Sequence, residues 1–283
     1  MEAALQIAAI GLLSGVEYAL AAVGLTLIYA TTRVFNLAQG GFFAFGAYAA
    51  YQASVLGYPA FAAAAPAAAA ALVFAGGVER VLVRPVRTSP LAGTIVLLSL
   101  AVMAEEGFLL VWGASSHSVP LRLPPLLVGR IVVSVEQIAA AAIAAALIAA
   151  VALGLRTRPG LALRAAAADP EIAAVAGIDV ARLRTSTFGA GCAMATLAGA
   201  LLSPELTIAP TMGRLPLLLL LAMVIAGGPR GTGGVVAASI GFGILASAAG
   251  FYLTPEWSSM LVLCILIALL AWRIDGAVGE KSA

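Results

Sequence analysis

Long apolar runs recur along the whole chain from Ile7 to Trp272, and short polar breaks separate them. Each run approaches the roughly 20 residues that a helix needs to cross a bilayer. They are rich in alanine and leucine and lack the alternation of a membrane strand, so helices are expected and a β-barrel is not. The pattern predicts nine passes, near 7–30, 36–55, 59–79, 91–112, 131–153, 185–203, 213–229, 233–252 and 257–273. In an alternative with eight, 36–46 is re-entrant. Either way the expected fold is all-α, a polytopic helical bundle forming one domain over residues 1–283 with some helices interrupted.

The breaks differ in kind. The longest, Arg156–Arg184, reads RTRPGLALRAAAADPEIAAVAGIDVARLR. Pro159-Gly160 stops the preceding run, Leu161–Ala168 reads as a short helix, and Asp169-Pro170 caps a second one over Glu171–Ala176. Gly177 then ends it. Two short helices flanked by arginines make either a docking surface or an amphipathic linker. Two other breaks fall inside apolar stretches: Asn36, Gln39, Gly40 and Gly41, and Gly227–Gly234. Interrupted helices at membrane depth are tolerated where they are buried or line a cavity, and often form substrate sites. Gly227–Gly234 lacks the GK[ST] ending of a phosphate loop. It is either a tight hairpin or a functional break.

Composition supports the membrane reading. The chain is 63% hydrophobic and 10% charged, against about a quarter charged in soluble domains. With the N-terminus outside, Arg33, Arg80, Arg84, Arg87, Arg156, Arg158, Arg164, Arg182, Arg184, Arg230, Arg273 and Lys281 fall on one side. Only Arg122, Arg130 and Arg214 fall on the other. The positive-inside rule therefore puts the C-terminus in the cytoplasm. Met1–Gln6 holds Glu2 and no basic residue, so no cleavable signal is expected. A net charge of +2 from arginines at membrane edges points to lipid and not to nucleic acid. Cys192 and Cys264 read as separate small apolar residues. His117, the single histidine, reads as a solvent-exposed loop residue, and no metal-ligand spacing or nucleophile–base set suggests an enzyme.

Three carboxylates interrupt apolar passes: Glu17, Glu105 and Glu106. Such groups face a cavity or act as neutral hydrogen-bonding links between helices. Glu105 and Glu106 lie about 100° apart on a helix, so one of them at most points at a given cavity.

Gly15–Tyr29 (GVEYALAAVGLTLIY) followed by Arg33–Phe42 (RVFNLAQGGF) resembles the signature of LivH-type permeases, the membrane subunits of bacterial branched-chain amino acid ABC importers. The likeness continues through Thr94–Gly113, Leu163–Ala166, Ala176–Ile178, Pro210–Gly213 and Gly227-Gly228, in the family's order over nearly the full length. The resemblance implies a subunit of the bacterial inner membrane with no cofactor of its own. Its implied partners are a second permease, LivM-like or identical, two cytoplasmic ATPases that use the ATP, and a periplasmic solute-binding protein. It implies a cytoplasmic coupling role for 156–184, with Arg164, Glu171, Ala173, Ala174 and Gly177 as candidates. Glu17, Asn36, Gln39, Gly40, Gly41, Glu105 and Glu106 are candidates for the substrate path. The chain departs from the family at Asn36-Leu37-Ala38-Gln39-Gly40, where Asn-Phe-Ala-His-Gly is common. It departs again at Glu17, usually neutral, and near Glu105, where the family has a neutral amide. These acids suit a solute bearing an ammonium, an amide or another cationic group, and the fold family also serves urea and short amides. The rival reading is a proton-coupled secondary transporter working through Glu17 and Glu105/Glu106, which leaves the 156–184 segment without a role.

Overall fold

In the computed structural model, residues 2–86, 89–121, 123–124, 126–128, 131–228, 231–252 and 264 are described. The described part is helical apart from one small hairpin. Its elements are α1 (Glu2–Thr32), α2 (Gln39–Val55), α3 (Ala64–Val78), α4 (Pro90–Trp112), α5 (Val135–Gly154), α6 (Arg158–Ala168), α7 (Pro170–Val175), α8 (Val180–Leu202), α9 (Arg214–Gly227) and α10 (Thr232–Tyr252). A 3-10 turn, Ala60–Ala63, leads into α3, and a π-helical turn, Glu79–Val83, extends it. Among the described residues, six helices are long and apolar enough to cross a membrane. The expected pass at 257–273 lies outside the described residues.

The antiparallel pair α1/α8 is the centre of the bundle. Gly24 meets Gly191 so closely that a Cβ on Gly191 would lie 2.5 Å from the Gly24 carbonyl oxygen. The Thr31 and Thr187 hydroxyls meet at 3.1 Å further along. Small residues let helix backbones touch where lipid offers no hydrophobic drive between helices. Glycines repeat this device outward. Gly11 and Gly15 of α1 pack on Gly243 and Ile240 of α10, and Gly189 of α8 packs on Leu72 of α3. Both outer pairs are antiparallel. The order of long helix, inward-running loop, short helix and long helix thus occurs twice, as α1–α2–α3 and α8–α9–α10, with the directions reversed.

The short helices differ from the expected full passes. α2 follows six non-helical residues after α1 and begins beside the middle of α1 and α8, because Gln39 reaches the carbonyls of Ala21 and Gly191. It then runs parallel to α8, with Gly46 against Thr196 and Gly199 against Phe43. α9 has 14 residues, about 21 Å, too short for a hydrocarbon core of about 30 Å. At its far end Gly227 packs against Gly234 and Val235 at the start of α10. The apolar pattern cannot distinguish a half-crossing from a crossing, because the inward-running loops are themselves apolar.

Residues 131–133 were expected inside a helix and instead form a strand paired with Leu126–Val128. The β-branched Ile-Val-Val run favours extended chain. α5 starts only after Ser134, whose hydroxyl accepts from the Glu136 N–H. His117 is half-buried, where an exposed loop residue was expected. It pairs through its backbone with Ile208, at 2.8 Å in both directions, and its ring stacks on Tyr51. This bridge holds the loop after α4 to the chain that turns back toward α9.

Candidate functional site

α2 and α9 meet N-terminus to N-terminus. Gly40 and Gly213 pack backbone on backbone, each in the place where a Cβ of the other would stand. From this contact α2 runs along α8, and α9 runs the opposite way, down the hairpin with α10. Neither N-terminus has a side-chain cap. Two positive helix ends therefore converge within the bundle.

Behind the junction lies an amide network. Asn36 Nδ2 donates to Gln39 Oε1 at 3.0 Å, and Asn36 Oδ1 accepts from the Ala38 N–H. Gln39 Nε2 donates to the Gly191 carbonyl at 3.0 Å and the Ala21 carbonyl at 3.4 Å. Both side chains are fully buried, so the network ties the re-entrant loop to α1 and α8. Gly40 and Gly41 supply close approach: Gly40 to Gly213, and Gly41 to the Ala104 side chain of α4.

In front of the junction stands a charged pair. Arg214, the first residue of α9, forms a fork with Glu105 of α4, Nη2 to Oε2 at 2.6 Å and Nε to Oε1 at 2.9 Å. The Arg214 side chain is 68% exposed and that of Glu105 16%. Two rulers fix its depth. Gly93, near the start of α4, packs by Val34 at the end of α1, and Glu105 lies about 18 Å further along α4. Trp112, at the other end, lies about 10 Å beyond and donates to Gln52 near the end of α2. The pair is thus well inside the apolar slab. Glu106 stands exposed beside it.

Glu17 is apart from this junction. It is fully buried, and neither carboxylate oxygen has a hydrogen-bond partner among the described residues. It faces Glu205, which accepts from Ser14 at 3.3 Å, and Gln137 reaches Ser14 in turn. The structure therefore does not bring Glu17 together with Glu105 and Glu106. An apolar cavity of about 480 Å³ between α2, α3 and α4 is lined by Gly41 and Ala104 but by neither member of the ion pair.

The second candidate region is at the opposite end, where the two short helices form as expected. The Asp169 carboxylate accepts from the N–H groups of Glu171 and Ile172, and Gly177 takes φ +85 to end α7. Ala173 packs inward, whereas Glu171 and Ala174 face out. So do Ile172 at 68% and Val175 at 91% exposure. Arg164 lines a cavity of about 640 Å³ with Arg33 and Arg156, between the ends of α1 and α5, α6 and the start of α10. Arg33 Nη2 also donates to the Ala167 carbonyl at 2.5 Å. Sequence reasoning missed the roles of Arg214 and Glu205. The signal for Arg214 was an arginine opening an apolar run too short to span.

Comparison with known proteins matches both regions to one family. Residues 7–270 match the family described as branched-chain amino acid transport system, permease component. The chain is 27% identical to the high-affinity branched-chain amino acid transport system permease protein LivH of Escherichia coli K12, covering 95% of this chain and 94% of that one. It is 26% identical to BraD of Pseudomonas aeruginosa, with the same coverage. It is 28% identical to a probable LivH of Methanocaldococcus jannaschii, over 92% of this chain and 88% of that protein. No solved structure matches. The family match takes in the α2/α9 junction, the Glu105–Arg214 pair and the α6–α7 segment alike, and this multi-pass membrane protein belongs to the branched-chain amino acid transport permease family.

Proposed function

We propose that the chain is a permease subunit of an ABC importer for branched-chain amino acids or a related small polar solute. It pairs with a second permease, identical or LivM-like, and works with two ATPases and a periplasmic binding protein. The basic α6–α7 end faces the cytoplasm in this reading, and the His117 end faces the periplasm. One observation carries the reading: a meeting of two half-helices at membrane depth occurs in the same chain as an exposed two-helix segment with apolar Ile172 and Val175 at its basic end. The junction suits passage of a polar solute, and the segment suits docking of an ATPase that supplies the energy. ATP is consumed by those partners.

Reconstitution tests this. Proteoliposomes holding the chain with its ATPases should take up labelled leucine, isoleucine or valine when ATP is on the ATPase side and loaded binding protein on the other. Uptake driven by a proton gradient without ATPases would instead establish the secondary transporter. Orientation is checked separately: Ser115→Cys should be labelled by an impermeant thiol reagent in spheroplasts, and Val175→Cys only after permeabilisation.

A further inference from the structure

A charged pair that is open on the surface of this chain at membrane depth cannot face lipid. The cost of a charge in hydrocarbon is several kcal/mol even after local adjustment, and Arg214 shows 68% of its side chain. The face around it must therefore be covered by water, by another subunit or by a segment of the chain outside the described residues. Intramembrane charges kept from lipid in this way mark the solute pathways of transporters. The pair also stands directly before the junction of α2 and α9, beside two uncapped helix N-termini. Its geometry is the two-point fork by which a guanidinium holds a carboxylate.

We infer that Arg214 and Glu105 form the binding site for the backbone of a zwitterionic amino acid in the translocation path. The inference rests on the importer reading above and adds the residues that hold the substrate. In the empty state each charge satisfies the other. An arriving amino acid replaces that single contact by two: its carboxylate takes the Arg214 fork, aided by the N-terminal ends of α2 and α9, and its ammonium takes the Glu105 carboxylate. The exchange conserves charge at every point, so the solute moves through the slab without either group being left unpaired. A solute lacking one of the two charges would split the pair and leave one partner uncompensated. The site thereby selects for both charges together. The apolar cavity at Gly41 and Ala104 is not part of it, since neither ion-pair residue lines that cavity.

The test uses the assembled importer in proteoliposomes, reading uptake of labelled leucine and binding-protein-stimulated ATP hydrolysis together. In Arg214→Gln and Glu105→Gln, uptake per ATP hydrolysed should fall at least tenfold while stimulated hydrolysis persists. The charge exchange Glu105→Arg/Arg214→Glu should keep the ion pair and the assembly but leave uptake at least tenfold down, because the amino acid would have to enter reversed. Full rescue of uptake by the exchange would reduce the pair to a brace and overturn the inference, as would normal uptake per ATP in either single variant. A second measurement covers variants that fail to assemble. With Leu215→Cys in a Cys264→Ser background, saturating leucine should slow thiol labelling at least threefold, whereas 4-methyl-2-oxopentanoate and isopentylamine at the same concentration should not. Equal protection by all three, or by none, would also overturn it. Absence of ATP-driven amino acid uptake by the unmutated importer is a different failure, that of the importer reading itself.

Discussion

The two breaks share a topology and differ in chemistry. Before α2, the polar groups turn inward: Asn36 and Gln39 are buried, bonded to each other and to the carbonyls of α1 and α8. Before α9, the polar group turns outward: Arg214 lies open and, among the described residues, its side chain is held by Glu105 across the face. One break is fastened to the bundle and the other is presented by it. A half-helix junction needs both, since the ends can be offered to a solute only if something fixes where they are. The α2 side supplies the fixed frame and the α9 side the exposed charged surface.

The comparison is broken most severely from the α2 side. Gln39→Leu removes the second hydrogen bond accepted by the Ala21 and Gly191 helix carbonyls and leaves Asn36 Nδ2 with only the Cys192 sulfur in a dry interior, at about 1–3 kcal/mol in all. The variant should yield little folded protein, with a melting temperature at least about 5 °C lower, read by thermal unfolding in detergent. Arg214→Gln, which leaves the Glu105 carboxylate without its cation at an open face, should lower the melting temperature by less than Gln39→Leu does, while uptake falls. A large thermal loss in this variant would mean that both breaks are fastened alike. Thiol chemistry sharpens the contrast at a smaller scale. In a Cys264→Ser background, Arg214→Cys should react with a hydrophilic thiol reagent at least tenfold faster than buried Cys192, which contacts Asn36. The smallest effect is expected at the distant end. Val175→Asp on the exposed face of α7 should weaken ATPase association a few-fold, measured by co-purification, without altering thermal stability.

Reading the sequence recovered the elements that local chemistry dictates. Asp169-Pro170 and Gly177 set the limits of α7, because a capping carboxylate, a proline and a left-handed glycine act over a single turn. The long helices followed from apolar length. Of the half-helices, the break before α2 was foreseen only as an alternative with 36–46 re-entrant and α9 was read as a full pass, since Phe35, Leu37, Ile208 and Met212 make the inward-running loops as apolar as a helix would be. Pairing was out of reach for a related reason. Glu105 looked like an isolated acid, and only the α4/α9 contact reveals its arginine. Glu17 and Glu105 looked alike as intramembrane acids. Packing separates them, placing one within the closed α1 interior and the other at the open junction.

Arg33 makes one more connection. It is the single non-glycine among the described residues with positive φ, at 59°, a conformation that costs about 1–3 kcal/mol. Its guanidinium grips the Ala167 carbonyl of α6, and Arg184 grips the neighbouring Thr31 carbonyl from the start of α8. Residues 34–38 then run directly from Arg33 to the amide network at Gln39. The linkage from α6 to the α2 break is thus a drawbar: one hydrogen bond in series with a short tether pinned at its inner end by Asn36. Such a tether has little slack to take up. Displacement of α6 away from the bundle would either release the Arg33 hydrogen bond or pull on residues 34–38, which end in the buried amide network.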